Sequence, residues 1–465
     1  MKRAWIGILA LGLGLRLWQA ALRWDEVALA YSAYPWAAVL ALRSGDLAGA
    51  LGTWVGLHPP LFSLIAALAE LWMPVPALIL GGSAAMSVLA VGAVAREDRL
   101  AGLALATCPA AVLYAGEWNN YPLAAGLVGL TLALVRARWG LFALAVVAAG
   151  WAHLLAGIGA LGLLAWRLAN PRGPGERARL VAAVGLGLLP IGVGALRLLG
   201  EPSTFSQPEG GLLRWLEGLW ALCGGPALAL AGLALIGLRG AARWGLGAAG
   251  GFYGLTLALG VSAPHQLPYL SLLVPFVALG CQGLRGLWRA AAVALAVAQG
   301  GALALDLAER SSEIVVDTRQ ERAIDRAVAA SAAGDLLWLV SPALLGDDDK
   351  RATSAILWRL SPFSWMPVRQ TTPFDQTDWR YGQPRGWRGR VVHTSTELEP
   401  ARFDAVVAPL LAAKGRVFVV LAEHGPAAGL EARVRRALRP YSSAFQRFPR
   451  QEGLGDDLLW VVEGR

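Results

Sequence analysis

The chain is poor in charge. Of 465 residues only 16% are Asp, Glu, Lys or Arg, where a soluble chain carries roughly a quarter. That excludes an ordinary globular protein over the whole length. Cysteine is scarce and odd in number: Cys108, Cys223 and Cys281 lie in or beside apolar segments, with no C-x-x-C. Neither a disulfide framework nor a structural zinc site is implied; buried thiols packing as small hydrophobes are expected. No G-x-x-x-x-G-K-[ST] occurs, nor a G-x-G-x-x-G after a strand, so the 56 glycines do not read as a phosphate loop. Several cluster within apolar runs (Gly185, Gly187, Gly192, Gly194), where small residues let membrane helices pack closely.

What is present is apolar: 56% of the chain. Long apolar stretches fill residues 1–305, and from Asp306 the chain reads as ordinary globular protein. Two domains are therefore expected: a transmembrane domain, 1–305, and a C-terminal α/β domain, 306–465. The net charge of +9 does not point to nucleic acid. Residues 306–465 hold 22 Lys+Arg and 21 Asp+Glu, whereas residues 1–305 hold 19 and 11. The surplus sits in short Arg clusters between apolar runs, not in a basic stripe on a soluble face.

A span needs about 20 apolar residues. Eleven are predicted, near 4–22, 76–95, 100–116, 120–135, 139–152, 154–168, 179–199, 225–238, 244–261, 267–282 and 288–305. The first follows Lys2 and Arg3 and is long enough to be a retained helix, not a cleaved signal. With the N-terminus inside, the inner loops hold fourteen cations: Lys2, Arg3, Arg96, Arg99, Arg136, Arg138, Arg167, Arg172, Arg177, Arg179, Arg239, Arg243, Arg285 and Arg289. The outer connections hold three, Arg23, Arg43 and Arg214. That asymmetry sets the orientation and places the C-terminal domain outside. The apolar stretches Pro35–Leu42 and Leu61–Met73 are then read as interfacial helices. They lie within one long outer loop, 23–75. Long loops usually carry function.

The tail alternates strand and helix. Strands are expected at 335–340, 390–393, 416–422 and 457–463, and helices at 321–332, 347–360, 400–413 and 427–438, which suggests a small parallel sheet. A longer irregular stretch, 361–389, carries Trp365, Trp379 and Trp387.

Four features on the predicted outer side carry chemistry. Trp24-Asp25-Glu26 follows the first span, and acids at a membrane boundary are costly unless they face water or a partner. His58-Pro59-Pro60-Leu61 starts a helix, since the first turn does not need the proline N–H groups. Tyr114-Ala-Gly-Glu117-Trp-Asn-Asn-Tyr121 closes the third span, and Pro264-His265-Gln266-Leu-Pro268-Tyr269 precedes a late one. Taken singly, each also reads as a cap or a plain loop.

Their order resembles the C-type (GT-C) glycosyltransferase superfamily, and within it the branch of protein O-mannosyltransferases and lipid A aminoarabinose transferase. The resemblance covers residues 1 to about 290 and, more loosely, the outer α/β tail. Asp25-Glu26 with His58-Pro59-Pro60 is its most specific part, and Gly150-Trp-Ala-His153 is similar to a Thr-His pattern of the family. The chain departs from it at Asn119 and Pro268, where the family often has arginine. The resemblance implies a polytopic helical fold and transfer, with inversion, of a sugar from a polyprenyl-phosphate-linked donor to a hydroxyl acceptor: a glycan, lipid or protein. Asp25 would be the base, with Glu117 as a second catalytic acid. Glu26, Tyr31, Arg43, His58, Tyr121, His153, His265 and Tyr269 would bind substrate; Arg43, Arg214, His58 and His265 are the available substitutes for the family's arginines. No metal-ligand spacing is evident; a divalent cation held by the acids is compatible with the pattern. The setting is a bacterial cytoplasmic membrane, in keeping with an Arg-rich, Lys-poor composition. The rival readings are a transporter or flippase for a lipid-linked glycan, and a non-catalytic binder of such lipids; no internal repeat of the transporter kind is detected.

Overall fold

The computed structural model describes residues 2–22, 45–51, 59–70, 78–116, 120–198, 211–258, 267–313, 326–332, 335–341, 390–395, 416–421, 445–447 and 459–463. Its helices, in chain order, are α1 Lys2–Leu22, α2 Leu47–Leu51, α3 Leu61–Glu70, α4 Ala84–Glu97, α5 Arg99–Ala106, α6 Pro109–Leu113, α7 Asn120–Leu134, α8 Trp139–Ala152, α9 Leu154–Ala169, α10 Glu176–Leu198, α11 Gly211–Gly237, α12 Gly240–Ala258, α13 Leu270–Ala278 and α14 Gly286–Glu313. A π-helical turn, Leu78–Ser83, leads into α4, and 3-10 turns lie at Tyr114–Gly116, Leu267–Tyr269 and Leu279–Gly283.

This is an integral membrane protein. Among the described residues, Ala4–Leu22, Trp215–Gly237 and Gly286–Glu309 are each long and apolar enough to cross a bilayer, and the pair Arg99–Ala106 with Pro109–Gly116 qualifies together despite a 60° bend. Shorter apolar helices are Asn120–Leu134, Trp139–Ala152, Leu154–Ala169 and Leu270–Gly283. Large apolar side chains such as Leu186, Leu189, Ile236 and Leu305 point outward, as a lipid-facing surface requires. The interior is built of small residues. α7 lies along α4 so closely that a side chain at Gly129 would strike the Ala90 backbone, and one at Gly126 the Met86 carbonyl. In lipid no hydrophobic drive brings helices together, so close backbone approach must do it.

The breaks have local causes. Asp98, extended at φ −151°, ends α4 and caps α5 by accepting from the Ala101 N–H at 2.9 Å. Thr107 and Cys108 stop α5, and Pro109 starts α6 at a position that needs no N–H. The carbonyls freed there are not left bare. Gln299 Nε2 donates to Ala104 O at 2.9 Å, and the buried Arg16 guanidinium donates to Leu105 O at 3.4 Å and Ala106 O at 3.2 Å. A cation suits the negative end of a helix, and bare carbonyls are expensive in a bilayer.

Two helices differ in extent from the sequence reading. α11 begins at Gly211, well before residue 225, and is interrupted at Gly224, whose φ of 68° only glycine adopts readily. α14 runs past Asp306 and Glu309 to Glu313, so one helix crosses the expected domain boundary.

Among the described residues, five strands form one sheet in the order β2-β1-β3-β5-β4: β1 Leu336–Ser341, β2 Arg390–Ser395, β3 Arg416–Leu421, β4 Phe445–Arg447 and β5 Leu459–Glu463. β1 pairs in parallel with β2 and β3, but β5 is antiparallel to β3 and β4. The expected all-parallel sheet is thus corrected to a mixed one. A parallel crossover needs roughly a dozen residues or more, and the 448–458 connection suits an antiparallel return. At three residues, β4 is too short for alternation to reveal it. Leu337 and Phe418, paired across β1 and β3, are fully buried, and Asp335 ties the strand starts through Arg416 at 2.9 Å. Residues 326–330 are helical as expected. The helices expected at 347–360, 400–413 and 427–438, and the stretch 361–389, lie outside the described residues.

Candidate active site

Contacts along the bundle divide its helix ends into two groups. The Trp5 indole donates to Gly92 O at 3.3 Å, so the start of α1 meets the end of α4. Arg289, near the start of α14, pairs with Asp98 at 2.8 Å. α7 runs in the same direction as α4, and Arg167, near the end of α9, donates to Val135 O at 2.6 Å and Ala137 O at 3.2 Å just beyond α7. Arg167 also grips Glu176 at the start of α10, its Nε at 3.1 Å. These contacts gather the Arg-bearing junctions at one end. Burial raises the Glu176 carboxyl, but hydrogen bonds from Arg167 and from the Arg172 N–H outweigh it and hold the group below the usual carboxylate range.

The opposite end is aromatic. It holds the start of α7, the α8–α9 junction and the turn before α13. Tyr121, His153 and Tyr269 come from these three places and meet there. Ring centroids are 5.7 Å apart for Tyr121–His153, 5.8 Å for Tyr121–Tyr269 and 5.2 Å for His153–Tyr269. His153 is the single extended residue between α8 and α9, with φ −162°, and caps α9 by accepting from the Leu155 N–H at Nδ1, 3.0 Å away. An imidazole that accepts at Nδ1 carries its hydrogen at Nε2, so His153 is set as a donor there. Buried Asn120 anchors the junction, donating to Ala152 O at 3.3 Å.

The sequence reading missed two members. Tyr253 of α12 packs edge-on to Tyr269 at 5.8 Å, and Trp215 of α11 donates to the Tyr253 hydroxyl at 3.0 Å. Both sit inside runs that read only as spans or flanks, with no acid or histidine to draw attention. Of the other expected residues, Asp25, Glu26, Tyr31, Arg43, His58, Glu117 and His265 lie outside the described residues. Arg214 falls within α11.

No family model matches the chain, and no curated protein matches it in sequence. A solved structure does match. The whole chain is similar in fold to ArnT from Cupriavidus metallidurans. That crystal structure, of ArnT bound to undecaprenyl phosphate, aligns with a TM-score of 0.53 over 99% of this chain and 98% of that one, at 17% identity. The likeness gives the chain a GT-C-like fold.

Proposed function

We propose that this chain is an inverting glycosyltransferase of the bacterial cytoplasmic membrane. It moves a sugar from a polyprenyl-phosphate-linked donor to a hydroxyl acceptor on the outer face. The observation that carries the reading is the meeting of Tyr121, His153 and Tyr269, three residues remote in sequence, at the end of the bundle away from the paired arginines. The likeness to a protein solved with undecaprenyl phosphate supports the donor class. In this reading the N-terminus is inside, eleven helical segments cross, and the C-terminal domain 306–465 stands outside beside the site.

The chemistry divides the residues into two sets. On the acceptor side, Asp25, three residues beyond the end of α1, takes the hydroxyl proton. The oxygen attacks the anomeric carbon opposite the phosphate, the carbon–phosphate-oxygen bond breaks, and polyprenyl phosphate leaves with the electron pair. Glu26 and Glu117 orient Asp25 or the acceptor, or share a divalent cation. On the leaving side, His153 Nε2–H and the Tyr121 and Tyr269 hydroxyls donate to the departing phosphate. Neutral donors there fit a chain with Asn119 and Pro268 in the family's arginine positions. His58, Arg43 and Tyr31 complete the outer loop's contribution, and His265 joins from the connection before α13.

The test is direct. Purified Asp25→Asn protein, folded by its melting curve, is expected to lose transfer from an undecaprenyl-phosphate-linked sugar by about 100-fold or more. Full activity removes Asp25 as base. A wild-type protein that binds the lipid but never releases its headgroup is a flippase or a binder instead.

A further inference from the structure

Among the described residues, three buried side-chain oxygens have no hydrogen-bond partner: Gln19 Oε1, Ser63 Oγ and Ser83 Oγ. Their residues are 3%, 1% and 0% exposed. A buried polar atom left unmet costs about 1–3 kcal/mol, so each one calls for a partner. Gln19 and Ser83 belong to one place. Gln19 lies in the last turn of α1, and Ser83 closes the π-helical turn. The end of α1, the π-turn and the 3-10 turn Tyr114–Gly116 all pack against one another. The fit is tight, since a Cβ on Gly116 would stand 3.1 Å from Ala20 Cα. π-turns are rare and recur at functional sites. In sequence, α1 leads on to Asp25 and the 3-10 turn leads on to Glu117.

The chemistry of these atoms selects a ligand class. Gln19 Nε2 is committed to Leu113 O at 3.4 Å, which leaves Oε1, a pure acceptor. A phosphate does not satisfy it, because ionised phosphate oxygens also only accept. A sugar hydroxyl or amine does, and the Ser83 hydroxyl can donate or accept in turn. Arg16, one turn earlier on α1, is taken up by Ser87 Oγ at 2.8 Å and by the Gly12, Leu105 and Ala106 carbonyls. We propose that Gln19 and Ser83 hydrogen-bond the hydroxyl or amino groups of the donor sugar and set which sugar is accepted. This rests on the polyprenyl-linked donor proposed above.

The experiment measures binding to purified full-length protein of bare undecaprenyl phosphate and of undecaprenyl phosphate carrying mannose, glucose, arabinose or 4-aminoarabinose. Wild type is expected to prefer at least one sugar-bearing lipid over the bare one. Gln19→Met and Ser83→Ala each cut that preference by about five- to tenfold and leave affinity for the bare lipid unchanged; Ser83→Ala melts no lower than wild type, since an unmet polar group has gone, whereas Gln19→Met also gives up the Nε2 bond to Leu113 O. If one variant fails to fold, the other decides. A sugar preference retained in full overturns the proposal and leaves these oxygens to an internal water. Equal loss for bare and sugar-bearing lipids overturns it too, as the sign of a structural role. Wild type that binds none of the lipids overthrows the donor reading itself, and this inference with it.

Discussion

The two ends of the bundle solve the same problem in opposite ways. Helix junctions leave N–H and C=O groups without partners. At one end, side-chain charge is matched: Arg167 meets Glu176 and two carbonyls, and Arg289 meets Asp98. At the other, the junctions hold rings and neutral donors, and Gln19 and Ser83 keep oxygens that nothing among the described residues meets. The first end is closed on itself. The second is polar and buried without being self-sufficient. In the proposed reading stability and ligand chemistry lie at opposite ends, and substitutions at the two ends should separate them.

The largest stability effect is expected at the closed end. Glu176→Ala leaves Arg167, whose side chain is 2% exposed, without its carboxylate. Breaking such a buried pair costs about 3–5 kcal/mol. The melting temperature in detergent should fall steeply, while the folded fraction still binds undecaprenyl phosphate. Loss of lipid binding in protein that remains folded would break the division between ends.

Tyr269→Phe probes the other end. Removing one donor to an ionised phosphate is worth about 1.5–3 kcal/mol, or roughly ten- to a hundredfold in transfer rate, with the melting temperature little changed. A large drop in stability with normal transfer would reassign the aromatic cluster to packing alone.

A pH scan sharpens the comparison. Glu176 is held below its ordinary value of 4.5 in the folded protein. Its contribution is therefore full above that value and is lost as pH falls through the lower folded one. The melting difference between wild type and Glu176→Gln should be constant from pH 7 to about 5 and shrink below about 4.5. A difference that grows on acidification would contradict the pairing. The smallest effect is expected at Asp98→Asn, because its partner Arg289 is 41% exposed. Such a pair is worth at most about 1 kcal/mol, and salt should weaken what is there.

Part of this was legible in the residues. Helices lie at the predicted apolar runs because run length and Arg placement are local properties. Tyr121, His153 and Tyr269 were nameable because each sits at the edge of a run, where a polar or aromatic residue stands out. Tyr253, Trp215, Gln19 and Ser83 were not. They lie within runs or beside them, and only packing shows which of them meet and which are left unmet. Arg16 went unremarked for the same reason: its partners are carbonyls, which every residue has.

By itself, then, the sequence determined that the chain is a membrane protein with charge gathered at one set of helix ends and a strand-bearing tail. Burying apolar runs and segregating arginines needs no knowledge of neighbours. The tertiary structure decided the rest. It turned the tail's sheet from parallel to mixed, because strand direction depends on how the chain returns. It bound the break after α5 to Arg16 and Gln299, because freed carbonyls take whichever donors the adjacent helices present. It also brought three aromatic residues from distant segments to one face, because close packing of small residues fixes which helix ends lie together.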